Sequence, residues 1–180
     1  MSNTYFCADW HLFHFNIIEY TNRPYKTIEQ MHTGMQSMHN DVVSPKDEVW
    51  NLGDVSMLSS EYVGKVRKEV NKFNGTKHLV IGNHDEWRAS SYENAGFWTA
   101  HTAFWFPYKE FTFYLMHDPA KYTILENDPK AIMLCGHIHN LFKHLLPEKR
   151  IINVGVDVWD FIPVSFDQIL SLLRENGMDI

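Results

Sequence analysis

Apolar residues along this chain fall into short runs that alternate between two patterns. Thr4–Ala8 (TYFCA), Glu48–Leu52 (EVWNL) and His78–Ile81 (HLVI) are brief apolar stretches bounded by turn or polar residues, which predicts buried strands. Helical spacing separates them. Phe15–Tyr20 predicts a short helix closed by Arg23-Pro24. Thr27 with Gln30 forms a capping-box signature. It opens a helix with Ile28, Met31, Met35, Met38 and Val42 on one face, ended by Ser44-Pro45. A third helix starts at Ser59 or Ser60, carries Val63, Val66, Val70 and Phe73 on one side, and stops at Asn74-Gly75. A fourth runs from Glu86 to about Ala95, with Gly96 as its C-cap. The second half is strand-like, at Ala103–Phe106, Phe111–Met116, Ile132–Cys135, Leu141–Leu146 and Arg150–Val154. A last helix follows from about Phe166 to Arg174, with Ser165 and Gln168 as a capping box and Gly177 beyond its end. Three βα units followed by a strand-rich half predict an α/β fold whose sheet faces are covered by helices.

Composition narrows this picture. A length of 180 residues fits one domain, 1–180, with a substantial core. Apolar content of 44% and charged content of 21% are globular values. No apolar run approaches the ~18 residues of a membrane span, so no membrane association is expected. The N-terminus lacks a basic segment followed by an apolar one, so a cytoplasmic location is the expectation. Cys7 and Cys135 lie in separate apolar runs without CxxC spacing and read as free thiols. The net charge of −6 argues against broad binding of nucleic-acid backbone. It leaves room for a phosphate substrate if metal ions supply local positive charge.

The eleven histidines carry the chemistry. Polar residues follow the apolar runs in a repeated way: Asp9 and His11 after the first, Asp54 after EVWNL, and Asn83, His84 and Asp85 after HLVI. His117 follows Phe111–Met116, and His137 and His139 follow Ile132–Cys135. Strand ends are where ligands bind in α/β sheets. Mixed nitrogen and oxygen donors suit manganese, iron, zinc, nickel or cobalt better than calcium. The donors outnumber what one ion needs once substrate is admitted, so two divalent ions sharing a carboxylate, roughly 3.5–4 Å apart, are expected. Manganese is the first expectation and the other metals are alternatives.

In this order, D-x-H, G-D, G-N-H-D, H and G-H-x-H resemble the calcineurin-like metallophosphoesterase superfamily over Asp9 to His139. His14 and Asn16 to Ile18 add a likeness to its small single-domain bacterial and phage-type members. Asn153 and Gly155 resemble an Asn-x-Gly turn found near the site in small members. The resemblance implies a four-layer α/β/β/α sandwich with a dinuclear metal site at strand ends. It implies Asp9, His11 and His139 on one metal, Asn83, His117 and His137 on the other, and Asp54 bridging. His84 is implied as the unligated proton donor. The activity implied is phosphatase or phosphodiesterase hydrolysis of a small phosphoester. A metal-bridging hydroxide would attack phosphorus, and His84 would protonate the leaving oxygen. A nuclease acting on nucleic-acid ends and a catalytically silent metal-binding interaction scaffold are the alternatives.

One position departs from that pattern. Many relatives have a second Asp three residues after the bridging one, and it orients the catalytic histidine; here Met57 stands there. Asp85 and Asp118 are candidates to replace it. His14 and Asn16 are expected either to contact phosphate or to cap the Phe15 helix. Arg23, Arg88 and Lys121 are candidate phosphate contacts. His32 and His39 read as surface or boundary residues beside the apolar stripe; His78, His101 and His144 have no motif partner. Ala103–Tyr108 (AFWFPY) reads as core, with a homodimer contact or a base-stacking surface as alternatives.

Overall fold

The computed structural model describes residues 2–121, 127–142, 145–146, 148 and 150–180. These residues form two five-stranded sheets and five α-helices. The first sheet has strand order β10-β1-β2-β3-β4, from β1 (Thr4–Cys7), β2 (Glu48–Asn51), β3 (Thr76–Val80), β4 (Thr99–His101) and β10 (Val164–Ser165). β1 through β4 run parallel, and β10 closes one edge antiparallel. The second sheet has order β5-β6-β7-β9-β8, from β5 (Phe104–Tyr108), β6 (Phe111–Leu115), β7 (Ala131–Cys135), β8 (Leu145–Leu146) and β9 (Ile151–Asn153). Its central strands β6, β7 and β9 are parallel, and both edges are antiparallel.

Alternation along the strands sorts side chains into separate cores. Tyr5, Cys7, Val49 and Leu79 face a cluster that contains Met31 and Met35 of α2 (Ile28–Val42), Val66 and Val70 of α3 (Val63–Val70) and Tyr92 of α4 (Ala89–Asn94). Phe6, Trp50, Leu52 and Val80, on the opposite face, share a cluster with Phe113, Leu115, Ile132, Leu134 and Ile152 of the second sheet. α5 (Phe166–Glu175) joins that inter-sheet core through Ile169, Leu170 and Leu173. Phe166 lies against Phe6, Phe106, Tyr108 and Phe113. Ala131, Met133 and Cys135 point to the far side of the second sheet, in a small cluster with Tyr114, Met116, Ile138 and Phe142. Helix, sheet and sheet are thus three layers of the four expected; this last cluster holds no α-helical residue among those described.

The helices depart from the sequence expectation in register more than in existence. α2 buries Met31, His32, Met35, Gln36 and His39, whereas Met38 and Val42 are exposed. The apolar stripe is rotated because two histidines find internal partners. His32 Nε2 accepts from the Phe13 amide at 3.0 Å, and His39 Nε2 pairs with the Asn74 carbonyl at 3.0 Å. At its start, Thr27 caps Gln30 as expected, but the Gln30 side chain accepts from Lys26 instead of closing the box. The box at α5 does form, between Ser165 and Gln168. β4 and β10, three and two residues long, fall outside the strands that the sequence predicts. AFWFPY is an edge strand with only one face inward: Phe104, Phe106 and Tyr108 pack on the inter-sheet core and Trp105 is exposed. Part of the Leu141–Leu146 reading, including His144, lies outside the described residues.

Candidate metal centre

All the chemistry-bearing residues sit just beyond the C-terminal ends of parallel strands. Asp9 and His11 follow β1, Asp54 follows β2, Asn83 and His84 follow β3, His117 follows β6, and His137 and His139 follow β7. The two sheets meet there. A parallel bridge joins Ala8 to Gly155, and His117 Nδ1 donates to the Leu52 carbonyl across the inter-sheet gap at 2.7 Å.

Two groups of donors converge at this seam. Asp9, His11 and His139 bring ligating atoms within 4.8 Å of one another, and Asp54, His117 and His137 do the same. Asp54 stands between them, its Oδ2 lying 3.6 Å from His11 Nε2 and 3.3 Å from His117 Nε2. Asn83 completes the second group: its Oδ1 is 2.9 Å from His117 Nε2 and 2.7 Å from His137 Nδ1. His84 joins neither group. Its backbone N–H donates to Asp54 Oδ1 at 2.9 Å, and its ring, 5.6 Å from that of His11, makes no hydrogen bond among the described residues.

The backbone is strained where these residues lie. Asp9, His11, Asp54, His137 and His139 have φ of 61°, 49°, 57°, 74° and 45°. Residues with a Cβ seldom adopt this left-handed region, and such conformations persist where the surroundings over-determine them. The surroundings here are interlocked loops. Asp9 N–H donates to Gly53 O and His11 N–H to Asp54 O, both at 2.9 Å. The buried Asp85 carboxylate accepts from the amides of Asp54, Val55 and Gly82 at 2.8, 3.0 and 2.9 Å. Gly82 itself lies so close to Asp54 that a Cβ there would collide with its carboxylate.

Burial sets the electrostatics. His11 is 2% exposed and neither ring nitrogen has a hydrogen-bond partner among the described residues. Desolvation, opposed by Asp54, takes its pKa down to about 3, so the ring is neutral and offers a lone pair. Burial pushes Asp9 up to about 6, against the pull of His139 and His117. For Asp54, burial works upward, but the hydrogen bond and charge of His117 outweigh it and hold the carboxylate at about 2. His117 responds in kind: burial lowers it, Asp54 and Asp9 raise it, and it ends at about 9. Both thiols are buried and burial pushes them up, so neither offers a ready thiolate. A buried imidazole beside two carboxylates, and two imidazole nitrogens converging on Asn83 Oδ1, form a set that fits divalent cations of borderline softness.

The groups open onto a groove of about 590 Å³ bordered by His14, Tyr20, Met57, His84 and Leu141, among others. A second groove of about 380 Å³, with Ser59, Ser60, Glu86 and Trp87, shares Met57 and His84 with the first. No lysine or arginine among the described residues lines either. His14 therefore belongs to the groove and does not cap α1 (Asn16–Tyr20), which has no side-chain cap; Asn16 lies outside the groove. Asp85 is committed to the Asp54 turn, Asp118 accepts from the Ala120 amide at 2.9 Å, and neither is hydrogen-bonded to the His84 ring. Arg23 is no phosphate contact. It is buried against Asp157, which in turn accepts from His139 Nδ1 at 2.7 Å. Asp157 was missed in the sequence although it ends the INVGVD stretch containing Asn153 and Gly155. Asn153 donates to the His139 carbonyl at 2.7 Å and accepts from the Gly155 amide at 2.9 Å.

Fold and site together define a two-sheet α/β protein with paired donor clusters at its strand ends. Over 178 residues the chain is 31% identical to the uncharacterized protein MJ1445 of Methanocaldococcus jannaschii, covering 98% of this chain and 94% of that one, and it belongs to the same family. The Gene 66 protein of Mycobacterium phage L5 is 29% identical over 208 residues, covering 97% and 95% of the two chains. Among solved structures, a protein of unknown function from Aquifex aeolicus, AQ665, shares the fold with a TM-score of 0.69 and 23% identity, over 96% of this chain and 100% of that one. No protein-family model matches.

Proposed function

We propose that this chain is a dinuclear metal-dependent phosphoesterase of the calcineurin-like superfamily, with the superfamily's four-layer sandwich, acting on small phosphomonoesters or phosphodiesters. One observation carries the reading: two donor groups meet at Asp54, which lies between His11 of one and His117 of the other, with His84 outside both in an open groove. Asp9, His11 and His139 would hold one ion, Asn83, His117 and His137 the other, and Asp54 both. Divalent ions, manganese first, would neutralise phosphate charge and supply a water activated at neutral pH.

The chain's own groups do the rest. Asp54 is kept ionised and aimed by three contacts: the His84 amide, the His117 ring and the turn that Asp85 ties. His84 hangs from that same carboxylate by its backbone, so its imidazole is set at the edge of the centre facing the groove. There it gives a proton to the departing alkoxide oxygen, which stops that oxygen from recapturing phosphorus. The absence of lysine and arginine from the described groove linings favours a small substrate over a polyanion.

The test is hydrolysis of nitrophenyl phosphate and bis(nitrophenyl) phosphate by the full chain loaded with manganese. Turnover that is abolished by EDTA, restored by manganese and lost in Asp54→Asn is the expected result. A chain that holds two metal ions yet is silent on a broad panel of mono- and diesters would exclude the hydrolase and leave a metal-binding scaffold.

A further inference from the structure

The buried Arg23 reaches every arm of the first donor group and none of the second. Its Nη2 donates to the Asp9 carbonyl at 2.8 Å and its Nη1 to the Trp10 carbonyl at 3.1 Å, which fixes the peptide units between Asp9 and His11. Its Nε and Nη2 grip the two carboxylate oxygens of Asp157 at 2.8 and 3.1 Å. Asp157 Oδ2 then accepts from His139 Nδ1 at 2.7 Å. That contact puts the proton on Nδ1 and leaves Nε2 as the free donor atom of the third arm. Arginine and aspartate side chains are 0% and 2% exposed, so the geometry is held without competition from water. The second group has no such clamp. His117 Nδ1 is held by Leu52 O, Asn83 and His137 are exposed, Asn83 Oδ1 lies against the His117 and His137 rings, and the His137 amide donates to Asp9; no buried arginine–carboxylate pair orients these side chains among the described residues.

We propose that Arg23 and Asp157 are a positioning pair for the first metal centre: they preassemble Asp9, His11 and His139 and so raise its affinity, without acting on the centre of Asn83, His117 and His137. The proposal rests on the metalloenzyme reading but assigns a role to two residues outside its ligand set. A preorganised site binds more tightly than one that must order its ligands on binding. The first centre therefore fills before the second. Partners in this position to a ligating histidine are typically worth about 10–100-fold in metal affinity.

Metal affinity tests this directly, apart from catalysis. The full chain, stripped with chelator, is titrated with manganese by calorimetry, and spin coupling between the ions is followed by electron paramagnetic resonance. Wild type is expected to take up two ions that form a coupled pair. Asp157→Asn, close in shape, should weaken one site by about 10–100-fold and give the signal of isolated manganese at concentrations that pair the ions in wild type. Arg23→Met combined with Asp157→Asn removes both buried charges and serves if the single variant does not fold. His137→Ala leaves the first centre alone, and adding Asp157→Asn to it should weaken the remaining site. The same substitution added to His11→Ala should leave the remaining, second site unchanged. Equal effects on both sites, or none on either, would overturn the positioning role while leaving the metalloenzyme intact. A wild-type chain that takes up no manganese would end both readings.

Discussion

At the scale of single residues, the histidines are told apart by what holds their nitrogens. His117 and His139 each spend Nδ1 on an anchor, Leu52 O and Asp157, and so present Nε2 in a fixed direction. His11 has both nitrogens buried and unspent. His84 is exposed and, among the described residues, is hydrogen-bonded to the site through its backbone amide alone. Exposed at the groove and outside both donor groups, the His84 ring is placed to carry a proton and not to hold an ion, and this difference is measurable. His84→Ala should lower turnover by roughly 10²–10⁴-fold while leaving two manganese ions bound. The loss should be larger for an alkyl leaving group, which must be protonated, than for nitrophenolate, which departs unaided. An equal loss across a leaving-group series would remove His84 from proton transfer.

At the scale of elements, the site depends on loops that touch backbone to backbone. Gly82 lies two residues beyond β3 against Asp54, and a Cβ there would stand 2.5 Å from Asp54 N as well as against the carboxylate. Gly136, after β7, is equally tight, with Ala8 Cβ at 2.5 Å and Asp9 Oδ2 at 2.9 Å from the added atom. Gly82→Ala should therefore destabilise by about 1–3 kcal/mol through overpacking. It should weaken manganese binding as well, since the displaced group is Asp54; urea denaturation with and without manganese separates the two effects. Much of this arrangement is legible in the sequence. An apolar run that stops at metal-ligating polar residues is local, and five such stops mark the strand ends. Other features are not local. Arg23 and Asp157 are 134 residues apart and nothing near either names the other. α2 turned its histidines inward because Phe13 and Asn74, brought from elsewhere in the chain, satisfy them. β4 and β10 are too short to show a period and are defined by the neighbours they pair with.

At the scale of the whole molecule, burying neutral imidazoles couples the fold to pH independently of the metal centre. His39 is 1% exposed on α2, with Nε2 paired to Asn74 O, Nδ1 unpartnered, and Trp10 and Phe73 edge-on around the ring. Desolvation, only partly opposed by the Asn74 hydrogen bond, takes its pKa down from 6.5 to about 4. In the window between those values the unfolded chain binds a proton at this position and the folded chain does not. Stability therefore rises with pH across the window and is lost as pH falls from 6.5 toward 4. Protonating this one group should cost the fold roughly 2 kcal/mol between about pH 7 and about pH 5. His39→Phe keeps a ring among Trp10 and Phe73 and removes the titration. Its stability at neutral pH should be lower than wild type, because Asn74 O loses its donor. Its further loss on acidification should be smaller by that same roughly 2 kcal/mol. Urea denaturation of both proteins at the two pH values, with chelator present, isolates the difference, because His11, Asp9 and the other titrating groups of the centre are common to both. Parallel stability–pH curves for the two proteins would mean that His39 is protonated without cost in the fold, and that the acid sensitivity of the molecule resides at the strand ends.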